Sequence, residues 1–232
     1  MKYAHIVPNV LNYLADEHND MHLLLAHWAM QNKEYKQFYT QSKVYCCLDN
    51  SFYELSKNVK TEILLKLAEE MNVQEIVLPD QMYNFKTTKK LINEFFKYVK
   101  PKHDKYIFQA VVCGKDKKEM IKCFHWMNEY PRINVISFSR RGCAYGQHDI
   151  ERYLLVNELA PLTTKPIHLL GANGMTDYFR KWHKNVRSID SKQYAKTVLN
   201  VETIKLNTPA TLHQQYLFEN LILNLKAKRK TQ

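Results

Sequence analysis

The feature that most constrains this chain is a rhythm, in which short runs of β-forming residues alternate with longer segments whose apolar residues recur at helical spacing. The run Val44, Tyr45, Cys46, Cys47, Leu48, inside KVYCCLDNS at 43–51, is unbroken until Asp49-Asn50, as a parallel strand covered on both faces should be. Residues 56–71 follow with Ile63, Leu64, Leu67, Ala68 and Met71 on one helical stripe, which predicts a helix laid over the sheet. EIVLPDQ is the next strand. Residues 87–99 then form a helix with Leu91, Ile92, Phe95, Phe96 and Val99 inward and Lys89, Lys90, Glu94 and Lys97 toward water. YIFQAVVCG at 106–114 continues the cycle. Helices are expected at 117–129, 150–159 and 175–183, and strands at 134–138, 166–170 and 186–189. Upstream, a helix near 7–17, a first strand in MHLLLAHW and a helix at 34–41 fit the same pattern, and Val201 to Leu206 supply a last strand. About eight strand-plus-helix units result, the number of a single (β/α)8 TIM-like barrel spanning residues 1–232. An open doubly wound sheet is the competing reading, but neither GxGxxG nor GxxxxGK[ST] appears to mark its phosphate turn. The tail, TPATLHQQYLFENLILNLKAKRKTQ, reads as an additional C-terminal helix ending in Lys226, Lys228, Arg229 and Lys230.

Charge narrows the partners. Lys plus Arg total 34 against 23 Asp plus Glu, a formal charge of +11, which suits nucleic acid first and an anionic membrane second. The membrane option weakens because no stretch approaches the ~20 apolar residues of a spanning helix. The opening MKYAHIVPNV also lacks the apolar core of a signal peptide. Five cysteines (Cys46, Cys47, Cys113, Cys123, Cys143) form no CxxC pair, so reduced thiols and a cytoplasmic protein are expected. His18 and His22 lie four apart without a further ligand nearby, so no metal site is expected; no cofactor is indicated, and a homodimer stays open.

In a parallel barrel the strand C-termini converge on one mouth, so a polar residue just after an apolar strand belongs to the site region. That rule selects Asp49, Asp80, Cys113-Gly114, Ser137 and Ser139, His168 with Gly171, and Asp190. Any one of the aspartates has helix capping as a structural alternative. Three at equivalent strand ends, within a basic chain, suggest a cationic rim around an acidic pocket. One carboxylate can attack an anomeric carbon, another can move protons on a base, and a third can accept hydrogen bonds from amino and ring N–H donors such as guanine's.

At these residues the sequence resembles the tRNA-guanine transglycosylase superfamily, most closely its short phage branch that inserts 7-deazaguanines into DNA. The resemblance spans about residues 22 to 192. It rests on HLLLAHWAMQNKEYKQFY followed by CLDNSFYEL, on LPDQ at 78–81, HLLG at 168–171 and RSIDS at 187–191. It implies a pentosyltransferase in which Asp190 is the nucleophile forming a covalent glycosyl intermediate and Asp49 the general acid/base. Asp80 would bind the base, with Ser51 and Phe52 in the turn around it, and Tyr83 is a stacking candidate. Cys113, Gly114, Gly171 and His168 would line the base site, with Arg140, Arg141 and Lys192 on phosphate. The partners implied are DNA, or alternatively tRNA, and a free base such as 7-cyano-7-deazaguanine, in the cytoplasm of a host cell if the chain is phage-encoded. The sequence departs from the family at Cys113, where a glutamine is common and Gln109 lies four residues earlier, and at SFSRRG, where a glycine-rich turn is expected. The CxCxxC zinc insertion of the tRNA enzymes is absent, which favours DNA. A non-catalytic accessory barrel and an unrelated glycosidase are the rivals.

Overall fold

A computed structural model describes residues 1–141, 149–172 and 174–230; Gly142 of the SFSRRG turn and Cys143 lie outside the described residues. Eight parallel strands make a nearly closed barrel in the order β1-β8-β7-β6-β5-β4-β3-β2. They are β1 (Lys2–His5), β2 (His22–Leu25), β3 (Cys46–Asp49), β4 (Glu75–Val77), β5 (Ile107–Val111), β6 (Val135–Ser139), β7 (Ile167–Leu170) and β8 (Val186–Ser191). The helices between them are α1 (Asn12–His18), α2 (Ala26–Gln31), α3 (Lys33–Gln41), α4 (Phe52–Leu55), α5 (Thr61–Glu70), α6 (Phe85–Tyr98), α7 (Lys117–Glu129), α8 (Asp149–Leu159), α9 (Gly174–Phe179) and α10 (Gln193–Leu199). The C-terminal helix α11 (Leu212–Lys230) buries Phe218, Ile222 and Leu225.

The expected strand number holds, but one member differs. The eighth strand is the N-terminal Lys2–His5, which pairs β8 from Lys2↔Ser188 to His5↔Ser191. Four residues with Lys at one end and His at the other carry little local strand signal, and the partner is nearly the whole chain away. Val201 to Leu206 forms no strand; Glu202, Thr203 and Ile204 instead stand at the barrel mouth. Between β1 and β2 no strand ladder forms. The loop at Asn19 and Asp20 spans this seam: the Asn19 side-chain amide accepts from His5 N (2.9 Å) and donates to His5 O (3.2 Å), while Asp20 bonds Tyr3 through both backbone and carboxylate. An asparagine side chain thus presents the donor and acceptor that a strand backbone would have supplied.

Helix α5 begins at Thr61, later than the apolar spacing suggested, because Ser51 and Ser56 adopt left-handed backbone (φ 59° and 54°) and enclose the separate turn α4. Its buried stripe is Leu64, Leu65, Leu67, Ala68 and Met71, and Ile63 lies outside it at 38% exposure. Helix α6 buries Ile92, Phe95 and Phe96 as its spacing required.

Inside the barrel the side chains stack in layers. The lower layer is polar: Glu75 and Gln109 are fully buried, Arg187 pairs with Glu75 and reaches Gln109, and the Tyr45 hydroxyl donates to Glu75 (2.6 Å). Above it, Val77 and Val111, two residues along the same faces, form apolar walls that open into the mouth. Among the described residues no helix is long and apolar enough to cross a membrane.

Candidate active site

At the C-terminal ends of the strands lies a cavity of about 710 Å³, within the ~300–1,000 Å³ typical of small-molecule sites. Asp49 from β3, Asp80 from the β4 loop and Asp190 from β8 all line it. Phe52, Ser139, Gly171, Arg140, Arg141 and Lys192 share its wall, so most of the residues singled out from sequence surround one space.

Each aspartate is held by its own device. At the end of β3 the chain turns through the left-handed Ser51, and Asp49 Oδ1 accepts the Ser51 N–H at 2.7 Å. Asn50 ties this turn to the next strand end: its amide donates to Leu78 O (2.6 Å) and Asp80 Oδ1 (3.1 Å), and its carbonyl oxygen accepts from Phe52 N (2.7 Å). Asn58 clamps the Asp80 backbone through N–H and carbonyl, at 3.1 and 2.8 Å. The Cys113 thiol lies 3.6 Å from Asp80 Oδ2 and donates to it, burial having pushed its pKa well up so that it stays protonated. Asp190 Oδ1 accepts the Gly171 backbone N–H at 3.0 Å and lies 3.1 Å from His168 Nε2.

The electrostatics separate the acids. Burial, then the nearby Glu54, Asp80 and Asp190 charges, hold the Asp49 carboxyl at about 8 against the opposing Ser51 N–H, so it carries a proton at neutral pH. Burial raises Asp80 to about 6, with Asn50 and Cys113 acting in the other direction as donors. A cavity that holds one protonated carboxyl beside other acids has the means to give and then take a proton.

Basic groups flank the mouth on two sides. Arg140 and Arg141 follow β6, with the Arg141 guanidinium over the Tyr53 ring and bonded to its hydroxyl. Lys192 and Lys196 border the cavity after β8, Lys192 paired with Glu54 and 5.9 Å from the Trp28 ring centre.

Four sequence candidates stand behind the cavity instead of on its wall. Ser51 is fully buried, its Oγ accepting from His27 N at 3.2 Å, so it joins the β2 and β3 ends. Cys113 supports Asp80. Gly114 is required by helix packing, because a Cβ there would stand 2.6 Å from Met120 N, inside α7. His168 is fully buried and reaches the site only through Asp190. Gly171 does adopt a conformation that favours glycine (φ 71°), and a Cβ there would make only an ordinary contact with the Arg140 Cβ at 3.9 Å. Gln109 belongs to the polar floor, Ser139 lines the cavity, Ser137 is buried, and Tyr83 is exposed and not part of the lining.

Sequence reading missed His27, Trp28, Glu54, Lys196 and the 202–204 wall. For His27 and Trp28 the signal existed: β2 stops at Leu25, so His27 stands at a strand end as the aspartates do, whereas treating MHLLLAHW as one strand moved that end too far along. Among the described residues His27 Nδ1 is buried without a hydrogen-bond partner, and burial lowers its pKa against the opposing Glu54 charge, with Lys192 acting in the same direction as burial. Arg152 in α8 was also unmarked. It is buried, donates to the carbonyls of Leu170 (2.9 Å) and Gly171 (3.3 Å), pairs with Asp177 at 2.6 Å, and so fixes the turn whose N–H holds Asp190.

Fold and site define a (β/α)8 barrel with a carboxylate-lined mouth and a basic border. No protein-family model matches the chain, and no curated protein matches it.

Proposed function

We propose that this chain is a transglycosylase that exchanges guanine in DNA for a 7-deazaguanine base, such as 7-cyano-7-deazaguanine, through a covalent aspartyl-glycosyl intermediate. The observation that carries the reading is the convergence of Asp49, Asp80 and Asp190 on one cavity, with Asp49 protonated and Asp190 held through one oxygen. A free Asp190 oxygen donates its electron pair to C1′ of the sugar as the C1′–N9 bond breaks. The bonding pair leaves with guanine, and Asp49 supplies the proton that neutralises the departing base. Asp49 is then a carboxylate and takes the ring N–H proton of the incoming base, whose nitrogen attacks C1′ and releases Asp190. Two displacements at one carbon retain configuration. Asp80 accepts from the amino and ring N–H donors of the base.

The basic border suits a polynucleotide backbone, and the cavity suits a base taken out of its stack, which costs a few kcal/mol that pocket and phosphate contacts offset. The test is Asp190→Asn. Wild-type protein should form a denaturation-resistant adduct with DNA and incorporate labelled base, and the variant should do neither while melting at a similar temperature. Exchange by the variant would refute the assignment. Competition between duplex DNA and tRNA in the same assay decides between the two polynucleotides, and the absence of any exchange by wild-type protein would leave the non-catalytic accessory barrel.

A further inference from the structure

His168 does not face the cavity, yet it is fully buried and both ring nitrogens are engaged: Nδ1 lies 2.8 Å from Ser188 Oγ and Nε2 lies 3.1 Å from Asp190 Oδ1. The cause is a register irregularity. Ile167 pairs with Val186, but His168 pairs with Ser188, so Arg187 is an extra residue in β8. Without that bulge His168 would stand opposite Arg187. With it, Ser188 and Asp190, two residues apart on one face, sit beside a single imidazole that spans both. Arg187 meanwhile reaches the floor of the barrel and its Glu75 partner.

The hydrogen-bond chemistry fixes one proton. Asp190 as a carboxylate only accepts, so Nε2 carries a proton toward it, while Nδ1 shares a hydrogen bond with the Ser188 hydroxyl, which can donate or accept. The Gly171 N–H donates to the same Oδ1, so among the described residues both donors lie on one oxygen of Asp190. We infer that His168, oriented by Ser188, is a positioning residue that pins Asp190 Oδ1 and leaves Oδ2 as the oxygen that bonds the sugar. The role in exchange rests on the nucleophile assignment above; the proton on Nε2 does not.

Two measurements on the full chain test it. Two-bond ¹⁵N–¹H spectra of the unliganded protein should show His168 carrying a proton on Nε2, and Ser188→Ala should shift its Nδ1 signal. A ring with no proton on Nε2 in wild-type protein overturns the inference whatever the activity. Single-turnover adduct formation with duplex DNA should fall about 100-fold in His168→Leu with little change in half-saturating DNA concentration, as loss of alignment at a reacting atom predicts. His168→Gln, which returns an N–H donor near the Nε2 position, should recover most of that rate, a rescue that a purely packing role would not give. Ser188→Ala removes one hydroxyl and covers the case in which His168→Leu fails to fold; it should slow adduct formation about 10-fold. Wild-type adduct with unchanged rates in His168→Leu, or in Ser188→Ala where the leucine variant does not fold, overturns the positioning role and leaves the proposed function standing. Absence of adduct in wild-type protein overturns both.

Discussion

Replacing Asp49 by asparagine changes the proton balance of folding while leaving the local hydrogen bond intact, since an amide oxygen can accept the Ser51 N–H as Oδ1 does. In the folded chain burial holds this carboxyl at about 8 in place of its ordinary 3.8. The folded state therefore binds a proton that the unfolded state has already lost, and stability falls by up to ~1.4 kcal/mol for each pH unit as pH rises between these two values. The full interval corresponds to about 6 kcal/mol, and partial solvent access at the cavity reduces it to about 3–5 kcal/mol. Asparagine has no such dependence. The variant should match wild-type stability near pH 4 and exceed it by about 3–5 kcal/mol at pH 8, a difference of about 10 °C for a chain of this size. Urea unfolding of both proteins across that range measures it. Parallel stability profiles would refute the reasoning, because they would mean that Asp49 ionises in the folded chain as it does in the unfolded one. Exchange should move the other way, falling about 10²–10⁴-fold through loss of the proton carrier. Stability set aside at a reactive carboxyl is the usual cost of a poised acid.

Two further outcomes test packing and charge. Gly114→Ala should destabilise by about 1–3 kcal/mol in thermal or urea unfolding, because the new Cβ meets helix backbone, which cannot rotate aside as a side chain can; unchanged stability would show that α7 shifts freely. Arg140→Gln and Arg141→Gln should each lower the slope of log affinity for DNA against log salt by about 1, an unaltered slope placing the polynucleotide elsewhere.

The legible part of the chain was the part written in local pattern. Apolar runs ending in a polar residue located β3, β4, β5, β6, β7 and β8, and the same rule brought out Asp49, Asp80 and Asp190, because strand direction in a parallel barrel sends every strand end to one side. The rule failed where a strand is short or ends inside an apolar stretch: β1 was missed, and His27 was hidden because the apolar run continues past the end of β2. It also could not separate wall from support. Ser51, Cys113, Gly114 and His168 all follow or belong to strand ends, yet they act from behind the cavity.

By itself the sequence determined the repeat of strand and helix, the basic surface and the order of the acidic strand ends, since each depends on residue type and spacing along a few turns of chain. Only the tertiary structure decided that Lys2–His5 closes the barrel against β8, that Arg187 bulges to set His168 beside Asp190, and that Arg152 grips the Gly171 turn. Those contacts join residues far apart in the chain, and their energies depend on register and depth of burial, which no short window of residue types specifies.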